Sequence, residues 1–171
     1  IMLDLSIIII NYNTKEFLKR CLIAILSSID GKLNYEIIVV DNASTDGSSS
    51  AISNFPSSVG RQFLPPIAGS RCGGTISNFK IILNKENLGF SKANNQGIKI
   101  SKESRYVLFL NPDTIMQNQT IEEMVKFMDI HEDAGAATCK LVMLDGEIDD
   151  ASHRGFPTPW NALCYFTGLS R

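Results

Sequence analysis

The stretch that most constrains this chain is residues 106–114, Tyr-Val-Leu-Phe-Leu-Asn-Pro-Asp-Thr. Residues 106–110 are apolar without polar alternation, the pattern of a strand buried on both faces in the middle of a parallel sheet. Pro112 lacks a backbone donor, so the strand stops before it. That puts Asn111 and Asp113 at the carboxyl end of a central strand, the edge where open α/β sheets bind ligands. Asn-Pro-Asp is also ordinary turn chemistry. The balance moves towards a site because two other strands end in the same kind of residue.

The first of these is residues 5–10, an unbroken aliphatic run followed by Asn11-Tyr12-Asn13-Thr14. Phe17, Leu18, Cys21, Leu22, Ile25 and Ile29 then recur at helical spacing, with Asn13 or Thr14 as the expected N-cap. The second is residues 35–40, which close on Asp41-Asn42-Ala43-Ser44-Thr45-Asp46-Gly47 and lead to a short helix at 48–55. Strand, helix, strand is a βαβ unit with right-handed crossover. Residues 56–78 are rich in Ser, Gly and Pro and follow neither period, so they read as an inserted flexible loop.

Residues 79–83 form another short strand, and Gly89 suits the tight turn into a helix over residues 93–98. Gly97 inside that helix predicts close packing on the sheet. Thr120-Ile121-Glu122-Glu123 reads as a capping box opening a helix whose stripe is Ile121, Met124, Val125 and Met128. His131 falls in its last turn, as a dipole-compatible cap. Asp145-Gly146 lies between strand-like segments at 136–144 and 147–151, the signal of a C-terminal β-hairpin. Residues 152–171 show neither period. The expected fold class is α/β: a Rossmann-like, mostly parallel sheet with helices on both faces, plus that hairpin.

At 171 residues the chain is expected to form a single domain with a substantial core. A net charge of −2 argues against a nucleic-acid partner. Cys21, Cys72, Cys139 and Cys164 lack paired spacing, which suggests free thiols in a reducing compartment. The run at 7–10 is too short to cross a bilayer, and no basic segment precedes it, so no signal peptide is expected.

Winding brings Asn11, Tyr12, Asn13, Asp41, Asn111 and Asp113 to one sheet edge. The glycine fingerprint of dinucleotide sites and the phosphate loop are both missing, so backbone glycines do not grip phosphate here. Asp113 facing a diphosphate at ~4 Å would be repelled by about 4 kcal/mol per charge pair at an effective dielectric near 20. A divalent cation reverses that sign, and Mg²⁺ or Mn²⁺ needs only one or two protein carboxylates beside substrate phosphates. Asp41 would then accept from a base N–H, and Asn111 would reach a sugar hydroxyl.

Four ordered motifs carry a resemblance. Ile7-Ile-Ile-Ile-Asn-Tyr-Asn13, Ile38-Val-Val-Asp-Asn-Ala-Ser-Thr-Asp-Gly47, Asn87-Leu-Gly-Phe90 with Ala93-Asn-Asn-Gln-Gly97, and Leu108-Phe-Leu-Asn-Pro-Asp-Thr114 resemble family 2 glycosyltransferases, in particular their rhamnosyltransferase-like bacterial branch. The resemblance implies a GT-A fold, a nucleotide-diphosphate sugar donor of UDP or dTDP type, and metal-dependent inverting transfer to a glycan or lipid-linked acceptor in cell-surface polysaccharide synthesis. It implies a cytoplasmic protein, at the inner membrane face where acceptors are lipid-linked.

By position, the resemblance assigns Asp41 to the base, Asn11 and Tyr12 to the base pocket, and Asn95 to the donor site. Asn111-Pro112-Asp113 stands where the family has Asp-x-Asp, with Asp113 on the metal; Asn at 111 departs from the commoner Asp. Arg154, within His153-Arg154-Gly155-Phe156-Pro157, would approach the diphosphate. No match to the family's general-base motif occurs after residue 151, so the chain is expected to be the donor-binding half of a longer enzyme, weak or inactive alone. A non-catalytic nucleotide-binding or partner-docking module on the same fold is the alternative.

Overall fold

The structure, a computed structural model, describes residues 2–29, 33–54, 78–143, 145–149 and 158–167. It divides into two compact units, Ile1–Asp133 and Ala134–Arg171. The first unit holds a four-stranded parallel sheet of β1 (Leu3–Asn11), β2 (Tyr35–Asp41), β3 (Asn78–Leu83) and β4 (Ser104–Leu110), in the order β3-β2-β1-β4. Between and after the strands come α1 (Lys15–Ser28), α2 (Ser48–Ser53), α3 (Phe90–Ile100) and α4 (Thr120–Ile130). The strand order steps outward from β1 in both directions, so the crevice expected at such a reversal lies beyond Asn11.

The unbroken aliphatic runs serve two cores. Ile7, Ile9, Ile37 and Val39 pack with Leu18, Leu22 and Ile25 of α1, Ile52 of α2 and Ile121 of α4. Ile8, Ile38 and Val40 face the other way, against Ala93 of α3. Helices therefore cover both faces, and each fully buried isoleucine contributes roughly 2 kcal/mol of transfer free energy.

β4 departs from expectation. Among the described residues it stands at the edge of the sheet, and its side chains alternate, with Val107 41% and Phe109 49% exposed. Leu108 and Leu110 pack on the α1 side, whereas among the described residues no neighbouring strand pairs with its outer edge. An apolar run reports composition and cannot report the number of neighbours.

Other local expectations also shift. Phe17 is half exposed rather than part of the α1 stripe. α4 begins at Thr120 with Gln119 as N-cap in the left-handed region (φ 65°), and no side chain caps it. Glu123, the expected partner in a capping box, pairs instead with Lys126 on the next turn. His131 is the C-cap, its backbone N–H donating to Phe127 O at 3.0 Å.

In the second unit the expected hairpin is reduced, among the described residues, to one isolated antiparallel bridge, Val142↔Ile148. A helix the periodicity missed, α5 (Pro159–Thr167), follows. Its start was legible as a cap followed by proline at the first helical position: Thr158 Oγ1 accepts from Asn161 N–H at 3.1 Å. Arg154 and the inserted loop at 56–78 lie outside the described residues, except Asn78, which opens β3.

At the amino end of the sheet Glu36 is fully buried. It accepts from Ser6 Oγ at 2.8 Å and Lys102 N–H at 2.6 Å, and pairs with Lys80 Nζ at 2.9 Å. Burial pushes its carboxyl up, but the Lys80 ammonium and these two donors outweigh it and hold the group below its ordinary value of 4.5.

Two tests follow from this packing. A Cβ on Gly97 would lie 2.6 Å from Ile8 Cγ2, and Ile8 is fully buried. Gly97→Ala is expected to lose about 1–3 kcal/mol through overpacking, read as a lower urea midpoint at unchanged slope. Glu36→Gln is expected to lose roughly 2 kcal/mol at pH 7. Because the native carboxyl is depressed, its contribution is complete above the unfolded value and disappears as pH falls through the folded one. The gap between wild type and Glu36→Gln in urea titrations should therefore close progressively below pH 4.5; a constant gap would show that the charge is not what stabilises.

Candidate functional site

Asn11 and Asp41 end neighbouring strands and are register partners. Asn11 Nδ2 donates to Asp41 Oδ1 at 2.7 Å and to Ser44 Oγ at 3.0 Å, while its Oδ1 accepts from Thr14 Oγ1 at 2.7 Å. Thr14 is the N-cap residue of α1, as expected, but its hydroxyl is spent on Asn11 and makes no capping bond. The cap comes from the neighbouring loop instead: Asp46 Oδ2 accepts from Lys15 N–H at 2.8 Å. Asp46 Oδ1 takes Ser48 N–H at 2.9 Å and Ser48 Oγ at 2.5 Å, so one carboxylate serves the starts of α1 and α2. Burial pushes the Asp46 carboxyl up, but the Ser48 hydroxyl and the Lys15 and Ser48 N–H groups hold it below the ordinary range.

Asn13 completes the link between the loops. Its N–H donates to Ser44 Oγ at 2.9 Å and its Oδ1 accepts from Thr45 N–H at 2.7 Å. Asn13 sits at φ 54°, which asparagine tolerates, but Ala43 sits at φ 66°. A left-handed alanine costs about 1–2 kcal/mol and persists only where its surroundings over-determine it, as they do at many functional sites.

Asp41 is the centre of this network, 1% exposed. Oδ1 accepts from Asn11 Nδ2 at 2.7 Å and Ser44 Oγ at 2.6 Å; Oδ2 accepts from Ser44 N–H at 3.1 Å and Ser49 Oγ at 2.8 Å. A second network carries the β2 end to α3. Asn42, 2% exposed, donates to Asn87 Oδ1 and accepts from Asn84 Nδ2, both at 3.0 Å. Asn84 and Gln96 exchange amide hydrogen bonds at 2.8 and 3.0 Å. Ser44, Asp46, Ser49, Asn42, Asn84 and Gln96 were not singled out from the sequence; the dense run of Asp, Asn, Ser and Thr over 41–49 was the available signal.

The remaining candidates are open. Tyr12 is 49% exposed, and Asn95, Asn111 and Asp113 are exposed. Their side chains form no hydrogen bond or ion pair among the described residues. Pairing of Ile9 with Leu110 sets Asn111 beside the end of β1, and Thr114 N–H donates to Asn111 O at 3.2 Å to close the turn. Cys21 of α1 supports that turn from below, Sγ to Asn111 O at 3.8 Å. Burial, then the Asp113 charge, push its thiol up to about 12, so it stays protonated as a weak donor.

The structure thus brings Asn11, Tyr12, Asn13, Asp41, Asn111 and Asp113 to one edge of the sheet. Asn95, on α3, is exposed while its neighbours Ala93, Asn94 and Gly97 are buried, and no hydrogen bond among the described residues ties its side chain to the strand-end residues.

Among the described residues no three acidic, histidine or cysteine side chains gather into a metal-binding cluster. A single unpaired, exposed carboxylate, Asp113, does fit a divalent cation held jointly with phosphates and water.

Glycosyl transferase family 2, as a family model, matches residues 6–169. The chain belongs to this family. A curated relative, the minor teichoic acid biosynthesis protein GgaB of Bacillus subtilis, is 28% identical over 129 residues, covering 75% of this chain and 12% of GgaB. Among solved structures, the Pyrobaculum calidifontis mannosyltransferase PcManGT, in complex with GDP-Man and Mn²⁺, superposes with a TM-score of 0.58 at 19% identity. That match covers 75% of this chain and 33% of PcManGT. S. aureus TarS 1-349, in complex with UDP, gives 0.57 at 19% identity over 84% of this chain and 43% of that one. The fold of this family 2 glycosyltransferase is GT-A, and the chain spans less than half the length of each of these relatives.

Asp46→Ala should remove caps from α1 and α2 together, lowering stability by about 1–2 kcal/mol. Urea denaturation checks this; an unchanged midpoint would mean that the loop link does not depend on Asp46.

Proposed function

We propose that this chain is the donor-binding half of an inverting glycosyltransferase. On this reading the whole enzyme moves a sugar from a UDP- or dTDP-type donor to a glycan or lipid-linked acceptor in cell-surface polysaccharide synthesis. The observation that carries the reading is the division at the sheet edge: Asp41 is fixed in a closed network while Tyr12, Asn111 and Asp113 stand open beside it. Family membership supports sugar transfer, and the teichoic acid relative supports a cell-surface product. The bound GDP-Man, Mn²⁺ and UDP of the two structural neighbours support a nucleotide-linked donor and a metal.

In this arrangement Tyr12 offers a ring to the base and Asp41 an acceptor for a base N–H. Asn11 and Asn13 hold those two groups in place. Asn111 supplies an amide to a sugar hydroxyl, and Asn95 and Arg154 belong to the outer donor site. Asp113 would hold Mg²⁺ or Mn²⁺, which would supply positive charge against the diphosphate of the leaving group. Inversion requires a base to take the proton of the acceptor hydroxyl; we assign it, with the acceptor site, to the rest of the enzyme. The rhamnosyltransferase-like branch, and a cytoplasmic site of action at the inner membrane face, rest on the motifs alone. No helix of the described residues is long and apolar enough to cross a membrane.

Calorimetric titration of UDP and dTDP, with and without Mn²⁺, tests the reading. Binding is expected to require Mn²⁺ and to fall by about tenfold or more in Asp113→Ala, a loss of about 1.4 kcal/mol. Binding indifferent to Mn²⁺ and to the substitution would favour a docking module instead.

A further inference from the structure

An ionised carboxylate offers about four lone-pair positions, and all four on Asp41 are filled by protein donors. A base N–H would be a fifth donor. Resting on the reading that Asp41 accepts from the base, we infer that Ser49 is a displaceable stand-in for it. The Ser49 hydroxyl occupies the place on Asp41 Oδ2 that the nucleotide's base takes, and leaves when the nucleotide binds.

The other three donors are poorly suited to leave. Ser44 N–H belongs to a loop backbone tied to both neighbouring segments. Ser44 Oγ donates to Asp41 Oδ1 while accepting from Asn11 Nδ2 and Asn13 N–H, so turning it breaks three bonds. Asn11 is fully buried and uses its amide on Asp41, Ser44 and Thr14 together.

Ser49 is different. Among the described residues its hydroxyl makes a single hydrogen bond, the one to Asp41 Oδ2 at 2.8 Å. It is partly exposed, in the first turn of α2. Because Ser49 is partly exposed, its hydroxyl can rotate towards solvent, so the hydrogen need not go unsatisfied when Asp41 is given up. In the free protein Ser49 thus fills the second position on Asp41 Oδ2, which would otherwise keep only the Ser44 N–H. In the complex it lowers affinity by the work of the exchange, and it restricts binding to bases whose N–H is a strong enough donor to displace a hydroxyl.

The test compares UDP with N3-methyl-UDP, which lacks the N–H, titrated with Mn²⁺ into wild type, Ser49→Ala, Ser49→Thr and Asp41→Asn. Ser49→Ala is expected to bind UDP about three- to tenfold more tightly, the fold-change of one net hydrogen bond, with N3-methyl-UDP unchanged. Ser49→Thr retains a hydroxyl and should return UDP affinity to the wild-type value. Circular dichroism melts confirm that each variant is folded.

Equal or weaker UDP binding by folded Ser49→Ala overturns the exchange. If Asp41→Asn still abolishes discrimination between the two nucleotides, the base-acceptor reading survives that failure. If wild type does not discriminate between them, or binds neither UDP nor dTDP, both the reading and the exchange fall.

Discussion

The structure depends most on how a carboxylate is kept out of water at the end of β2. Asp41 is 1% exposed and has no cationic partner among the described residues. Its charge is carried by short hydrogen bonds from an asparagine, two serines and one backbone N–H. Donors of this kind stabilise an ionised group by roughly 1.5–3 kcal/mol each, where an isolated buried carboxylate would be prohibitive. Two of the four come from the loop that follows Asp41 and a third from the first turn of α2, so the charge organises that segment. The loop in turn holds Ala43 left-handed and supplies the cap of α1.

That loop divides site residues into two kinds that a residue-type argument alone treats as equivalent. Asn11, Asn13 and Asp41 spend their hydrogen-bonding capacity within the protein; Tyr12, Asn111 and Asp113 retain theirs. The first group sets the geometry of the edge, and on the proposed reading the second meets the ligand. Rigid support behind open side chains is the arrangement that limits the entropy lost on binding.

The sequence conveyed some of this well. The aliphatic runs of β1 and β2 demanded burial on both faces, and the fold satisfies it with α1, α2 and α4 on one side and α3 on the other. Gly97 announced close packing, and Ile8 lies where its side chain would be. β4, expected in the middle of the sheet, stands at its edge among the described residues, because apolar composition is shared by central and edge strands and only pairing decides between them. Thr120 was misread as a cap because a capping box is a pattern of residue types. Gln119 adopts the left-handed turn that starts the helix, and Glu123 finds Lys126. α5 escaped because an apolar helix lacks the alternation that periodicity detects, although Thr158-Pro159 marked its start. The partners of Asp41 were illegible for a different reason: a serine eight residues away reaches it only because α2 folds back over the strand end.

The two ends of the sheet solve the problem of charge in opposite ways. At the amino end charges of both signs are present and matched: Glu36 pairs with Lys80, and Arg105 bridges Asp4 and Asp129. At the carboxyl end Asp41 and Asp113 are negative and neither forms an ion pair among the described residues. Asp41 is neutralised by dipoles, which do not compete for a cation, and Asp113 is left to solvent. On the proposed reading, such an edge would repel a diphosphate on its own and attract one through a divalent cation, which would make nucleotide binding conditional on metal. At the amino end Glu36 and Arg105 already have partners of opposite sign, so those groups offer no such opening.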